Sequence, residues 1–142
     1  MWNLYAVVHL VLFSITFSLI DLRFHKIFKN HVIVALLFAA PFVTLGAMVS
    51  GVLNYCFYNL LHRASRGALG FGDVRLAFLI GVYAHHFTKE LSSLISANLY
   101  SWLCAGLVAV ALFMWSRRNL EERLAFAPFM FLGLLITLVT NH

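Results

Sequence analysis

The chain has 142 residues, of which 63% are hydrophobic and only 11% are charged. Because soluble domains carry about 25% charged residues, the composition argues against a soluble globular domain and favours a membrane protein, whose outer surface contacts lipid. The net charge of +5 does not indicate nucleic-acid binding, since the basic residues lie in short gaps between apolar runs and not on one continuous face.

Apolar runs alternate with short polar gaps along the whole chain, and they cover residues 2–20, 31–61, 73–87, 91–115 and 124–140. The second run, residues 31–61, would be about 46 Å long as one straight helix, which exceeds a hydrocarbon core of about 30 Å. Because this run contains Pro41, Gly46 and Gly51, we predict two short helices joined by a turn at residues 45–51. The chain then has six predicted helices.

The basic residues are distributed unevenly between the predicted gaps. The second gap has no charge and the fourth has one basic residue, Lys89. The other nine of the ten Lys and Arg residues lie in or beside the first, third and fifth gaps: Arg23, Lys26, Lys29, Arg63, Arg66, Arg75, Arg117, Arg118 and Arg123. Since cytoplasmic loops are enriched in Lys and Arg, these three gaps are predicted to be cytoplasmic, with both termini outside. We therefore predict an all-α fold, a polytopic bundle of about six transmembrane helices that forms one domain over residues 1–142 of an inner (cytoplasmic) membrane protein.

The chain has only two aspartates, Asp21 and Asp73, and both lie at ends of apolar runs on the predicted cytoplasmic side. An acid near the hydrocarbon is costly unless it is solvated or paired, and it is therefore a candidate for function. The alternative is that both are ordinary carboxylates at the headgroup level, which mark helix ends.

The sequence around the second aspartate favours a functional role. It reads Gly70-Phe71-Gly72-Asp73, directly before a predicted membrane helix. Glycines allow close approach of backbones, which suits a carboxylate that an extended peptide must reach. A G-x-G-D tetrapeptide alone is a weak motif, but it is more specific directly before a predicted membrane helix and with a second lone aspartate on the same side.

At these residues the chain resembles the type IV prepilin peptidase and preflagellin peptidase family, the membrane aspartyl proteases with a G-x-G-D signature. Residues 70–76 carry the signature, and Asp21 begins a segment similar to the family pattern D-x5-I-P-N. In that segment Ile27 matches, the proline is replaced by Phe28 and the asparagine comes one position late, as Asn30. The start of the last helix, with Pro128 and then Gly133, is also similar.

The resemblance implies an aspartic endopeptidase that cleaves basic leader peptides from prepilin-like, membrane-anchored precursors at the cytoplasmic face. The implied catalytic residues are Asp21 and Asp73. The implied backbone residues of the active site are Gly70 and Gly72, and the implied substrate-positioning residues are Ile27, Asn30 and Pro128. The chain looks like the short form of the family, without the paired C-x-x-C motifs linked to methylation, and cleavage without methylation or a cofactor is expected.

No metal site is expected. The seven histidines include no H-x-x-x-H pair, and a ligand set needs convergent spacing. The two cysteines, Cys56 and Cys104, are far apart in apolar runs, and we predict two buried thiols.

An aspartic protease needs one ionised carboxylate, which takes a proton from water, and one protonated carboxyl group, which polarises the scissile carbonyl. Asp21 ends its predicted helix and Asp73 begins one. Because a helix dipole favours negative charge at the N-terminus, Asp73 is predicted to be the resting carboxylate and Asp21 the resting acid.

Two other functions stay open at this point. A small proton- or ion-coupled transporter also uses paired acids, although these are expected near mid-membrane in broken helices. A non-catalytic assembly subunit of a pilus or secretion machine would function without either carboxylate.

Overall fold

A computed structural model describes residues 4–66, 69–116 and 125–141. These residues form six α-helices and a short 3-10 turn, with no strand among them: α1 Leu4–Phe24, α2 Lys29–Ala39, the 3-10 turn Ala40–Phe42, α3 Leu45–Ala64, α4 Phe71–Thr88, α5 Ser92–Ser116 and α6 Ala127–Thr140. The all-α class and the six helices are thus confirmed. The basic residues Arg117, Arg118 and Arg123 lie outside the described ranges.

The break between α2 and α3 is not where the sequence predicted it. It occupies residues 40–44, because Pro41 lies in the 3-10 turn and a proline cannot donate its backbone nitrogen to a continuing helix. The hydroxyl of Thr44 then starts α3 by accepting a hydrogen bond from the N–H of Ala47 at 3.3 Å. The turn predicted at residues 45–51 is therefore wrong. Gly51 lies inside α3, against the carbonyl oxygen of Phe78.

Helix α4 is central in the bundle. It packs against α2, α3, α5 and α6, and ten of its residues are buried. Its contact with α3 is closest at Gly81, where a Cβ atom would lie 2.6 Å from the carbonyl oxygen of Ser50 and 2.8 Å from Cα of Gly51. Small residues permit two helices to approach this closely. The N-terminus of α4, which carries Asp73, is thus fixed from several sides.

Buried polar side chains also join the helices. The His9 ring of α1 lies 2.6 Å from the hydroxyl of Tyr83 on α4 and 3.1 Å from the carbonyl oxygen of Ala35 on α2. On the other side of α4, Asn54 donates to the carbonyl oxygen of Ala77 at 2.8 Å, and Asn98 donates to Asn54 at 2.8 Å. Such interhelical hydrogen bonds hold helices together where lipid gives no hydrophobic driving force.

Two helices are long and apolar enough to cross a membrane, at Leu4–Phe24 and Ser92–Trp115. Two further apolar helices, at Lys29–Phe42 and Ala127–Thr140, are shorter. The α5 segment is mostly exposed, with only 17% of its most apolar window buried, whereas a core helix of a soluble protein of the same length would be buried. Two of its last residues, Met114 and Trp115, are 79% and 93% exposed. These features agree with a membrane location.

Candidate functional site

Both aspartates lie at the same end of the bundle. Helix α1 continues past its predicted end at residue 20, so that Asp21 lies in its last turn, and Asp73 lies in the first turn of α4. The two carboxyl groups are near enough for the charge of Asp21 to act on Asp73. The structure thus places the two carboxyl groups at one end of the bundle, within electrostatic range of each other.

Asp21 is buried, with 5% of its surface exposed, and it is bound to the start of α6. Its Oδ2 atom accepts a hydrogen bond from the backbone N–H of Ala127 at 2.8 Å, and the N–H of Phe126 also points to this carboxylate. Helix α6 has no side-chain cap at Phe126 and has Pro128 in its first turn. A carboxylate from another helix therefore satisfies an amide that would otherwise lack a partner, and it complements the dipole of α6.

Asp73 is held by its own helix. The N–H of Gly70, which precedes α4, donates to its carboxylate, and the N–H of Asp73 donates to the carbonyl oxygen of Gly70 at 3.1 Å. This is the arrangement of a capping box, in which an acidic residue in the first turn reaches back to the N-cap. A Cβ atom at Gly70 would lie 3.1 Å from Oδ2 of Asp73. The glycine therefore gives the carboxylate room.

The second glycine of the signature holds the loop that follows Asp21. Ile27, in that loop, is buried, and a Cβ atom at Gly72 would lie 2.8 Å from its Cβ and 3.1 Å from its carbonyl oxygen. Because nothing larger than glycine fits, the loop after α1 lies directly on the start of α4. Gly72 and Ile27 thus set the spacing of the two segments that carry the aspartates, and Ile27 acts in the structure as a packing residue.

Gly72→Ala is expected to lower the free energy of unfolding by about 1–3 kcal/mol, the usual cost of an overpacked interior. The added methyl group meets backbone atoms of Ile27, which cannot rotate away. Thermal unfolding in detergent measures the effect. Gly106→Ala is the control, because a Cβ atom at Gly106 has nothing within 4 Å. Equal stability of the two variants would contradict the packing described here.

The other two predicted substrate-positioning residues, Pro128 and Asn30, lie in different parts of the structure. Pro128 is half-buried and directly follows Ala127, the residue that binds Asp21, and with Ser18 and Leu19 it lines an open groove of about 320 Å³. Asn30 is exposed and lines a separate cleft with Phe13 and Thr16. The structure therefore brings Pro128 to the aspartate site, whereas it places Asn30 beside an earlier part of α1.

The helix dipoles do not determine which of the two acids is ionised. Asp21 ends α1, but it also contacts the N-terminus of α6 through Ala127, just as Asp73 lies at the N-terminus of α4. The dipole of α1 disfavours a negative charge on Asp21, whereas the dipole of α6 favours one. The dipole argument for Asp21 as the resting acid therefore holds for α1 only. The assignment itself stays a prediction.

Within the part of the chain that the structure describes, no group of three His, Cys, Asp or Glu side chains is placed to hold a metal ion. Both cysteines are free. The prediction of two buried thiols is wrong for Cys56, which is exposed on α3, and Cys104 is half-buried. An apolar run predicts the helix but does not reveal which of its faces is exposed.

Two contributors to the site were not found from the sequence. One is the backbone N–H of Ala127, which any residue type could supply. A weak indication was present, since Phe126 is a poor capping residue directly before the Ala-Pro start of α6. The other is Tyr58, which is completely buried and interacts electrostatically with Asp73.

No protein-family model, curated protein or solved structure matches the chain. A function for it therefore depends on the residues and the geometry described above, together with the resemblance of its short motifs.

Proposed function

We propose that this chain is a multi-pass aspartic endopeptidase of the inner (cytoplasmic) membrane, which removes leader peptides from prepilin-like precursors at the cytoplasmic face. The observation that carries the proposal is that Asp21 and Asp73 lie at one end of the bundle, within electrostatic range of each other, where the G-x-G-D turn also lies. The resemblance to prepilin and preflagellin peptidases gives the substrate class.

The charge distribution supports a cytoplasmic position for this end. The connection after α1 and the end of α3 carry basic residues, among them Lys26 and Arg63. The connection between α4 and α5, at the opposite end, carries Lys89 and Glu90. Cytoplasmic loops carry the excess of Lys and Arg, and a precursor with a basic leader would present its cleavage site there.

The reaction needs water, two carboxyl groups and a peptide. Water attacks the scissile carbonyl carbon while the ionised carboxylate takes one of its protons, and the protonated carboxyl group gives its proton to the carbonyl oxygen. Collapse of the tetrahedral intermediate breaks the C–N bond, and the leaving nitrogen takes a proton from the group that accepted one from water. One hydroxyl proton of the intermediate returns to the other carboxylate, which restores the starting pair. Because the two groups share a proton, their titration belongs to the pair.

The hydrogen bonds suggest which acid is ionised. Asp21 faces the N–H groups of Phe126 and Ala127 at the start of α6, whereas Asp73 accepts from the N–H of Gly70. Charge-assisted hydrogen bonds from backbone amides stabilise a carboxylate. We therefore assign Asp21 as the base and Asp73 as the acid, the reverse of the assignment from the helix dipoles of α1 and α4 alone.

One observation favours a second candidate function. Asp21 caps α6 and Asp73 caps α4, so that each carboxylate also has a structural role that needs no catalysis. This would suit a non-catalytic assembly subunit of a pilus or secretion machine. A proton- or ion-coupled transporter is less well supported, because its acids are expected near mid-membrane, and these lie at helix ends.

Co-expression with a tagged reporter tests the proposal. The reporter carries a short basic leader followed by an apolar helix, and mass spectrometry measures loss of the leader. The wild-type chain is expected to shorten the reporter, and the double variant Asp21→Asn/Asp73→Asn is expected to leave it intact at equal membrane abundance. Cleavage by the double variant would rule out an aspartic mechanism, and an assembly subunit would leave the reporter intact in both cases.

A further inference from the structure

Tyr58 of α3 is a completely buried tyrosine whose hydroxyl group has no hydrogen-bond partner among the described residues. The indole group of Trp102 lies beside it, with ring centroids 6.3 Å apart, but makes no hydrogen bond of good geometry. A buried hydroxyl without a partner costs free energy that phenylalanine would avoid. Packing therefore explains the ring at this position but not the hydroxyl.

The ring of Tyr58 packs against the helix start that binds Asp21. Its centroid is 6.3 Å from the centroid of Phe126, the residue directly before Ala127, whose N–H binds Asp21. Tyr58 also lies within electrostatic range of Asp73. The unpaired hydroxyl thus lies at the end of the bundle that holds the two carboxyl groups, within electrostatic range of Asp73.

We propose that Tyr58 is a positioning residue for Asp73: its hydroxyl donates a hydrogen bond to the carbonyl oxygen of the protonated Asp73 side chain when this side chain leaves the Gly70 amide and turns toward the peptide. The inference rests on the proposed peptidase function. The capping interaction with Gly70 turns the carboxyl group toward its own helix start. A hydrogen bond from the Tyr58 hydroxyl to the carbonyl oxygen of this carboxyl group leaves its O–H group directed at the scissile carbonyl.

The other completely buried tyrosine gives a matched comparison. The hydroxyl of Tyr83 on α4 lies 2.6 Å from Nδ1 of His9, and its role in joining α1 to α4 is structural. The two residues have the same side chain, the same burial and the same helical setting. They differ in whether the hydroxyl is already used in the structure.

Tyr58→Phe removes the hydroxyl and keeps the ring. It is expected to leave the melting temperature unchanged or raised, because no hydrogen bond is lost. The rate of reporter cleavage is expected to fall by up to about 100-fold, the usual cost of a misplaced catalytic group, mainly in kcat with little change in KM. Tyr83→Phe is expected to show the opposite pattern, with a lower melting temperature and wild-type kcat. Full activity of Tyr58→Phe would overturn the inference.

A second measurement does not depend on peptidase activity. With a non-cleavable basic leader peptide bound, the infrared C=O band of the protonated Asp73 carboxyl group, identified by its loss in Asp73→Asn, is expected to shift in Tyr58→Phe and to stay in place in Tyr83→Phe. An unmoved band in Tyr58→Phe would overturn the role through Asp73, even if cleavage falls. A shifted band in a protein whose wild type cleaves no reporter would support the Tyr58–Asp73 interaction and reject the peptidase.

Discussion

Asp73→Asn is expected to lower the rate of reporter cleavage by about 100- to 10,000-fold, the range that proton transfer by a positioned side chain contributes, and to leave the fold intact. An amide cannot give the proton that the scissile carbonyl requires. Its oxygen can still accept the hydrogen bond from the N–H of Gly70, which preserves the cap of α4. The measurements are cleavage of the reporter and thermal unfolding of the same detergent preparation.

Asp21 gives the matched comparison, because its carboxylate is both a proposed catalytic group and the acceptor at the start of α6. Asp21→Asn is expected to lose cleavage to a similar extent and to keep its stability, because an amide oxygen can also accept from the N–H of Ala127. Asp21→Ala is expected to lose about 0.5–2 kcal/mol of stability, since the buried N–H of Ala127 then lacks its acceptor. Equal stability of Asp21→Ala and Asp21→Asn would contradict the hydrogen bond between Asp21 and Ala127. Retained cleavage in either single variant would reject the carboxyl pair.

Gly133→Ala is expected to be the most destabilising single methyl addition in the bundle, at about 3 kcal/mol or slightly more, the upper part of the range for overpacking. A Cβ atom at Gly133 would lie 2.5 Å from the carbonyl oxygen of Ala97 and 2.5 Å from the nitrogen of Ser101. Both are backbone atoms of α5, so that α6 must move away from α5. Thermal unfolding in detergent measures the loss.

Two further variants distinguish overpacking from a general effect of alanine. Gly106→Ala, on α5, meets nothing within 4 Å and is expected to be neutral or to stabilise by up to about 1 kcal/mol through helix propensity. The double variant Ser101→Gly/Gly133→Ala removes the Ser101 hydroxyl but keeps the backbone contacts, and it is expected to stay destabilised. Full rescue in the double variant would show that the hydroxyl alone limits the approach of the two helices.

The sequence predicts the helices well because apolar length is the property that defines them. The fourth and fifth helices, expected over residues 73–87 and 91–115, occupy Phe71–Thr88 and Ser92–Ser116. The break in the uncharged run was placed at its glycines, but helix packing uses Gly51 and Gly81 for close approach. The proline and the capping threonine therefore fix the break, at residues 40–44.

The candidate site could be predicted only in part. Asp21 and Asp73 stand out in the sequence because acids are rare in an apolar chain. The partner of Asp21 is a backbone amide 106 positions away, which no residue pattern reveals. In the sequence, Tyr58 is one of several aromatic residues in an apolar run. Periodicity can predict that such a residue is buried, but it cannot predict that its hydroxyl lacks a hydrogen-bond partner.

The bond between Asp21 and Ala127 has a consequence for biosynthesis. Helix α1 is synthesised before α6, yet the position of its carboxylate is set by a backbone amide of α6. A nascent chain that ends before α6 has no amide to hold this carboxylate. The proposed proteolytic activity would therefore begin only after α6 has packed against α1.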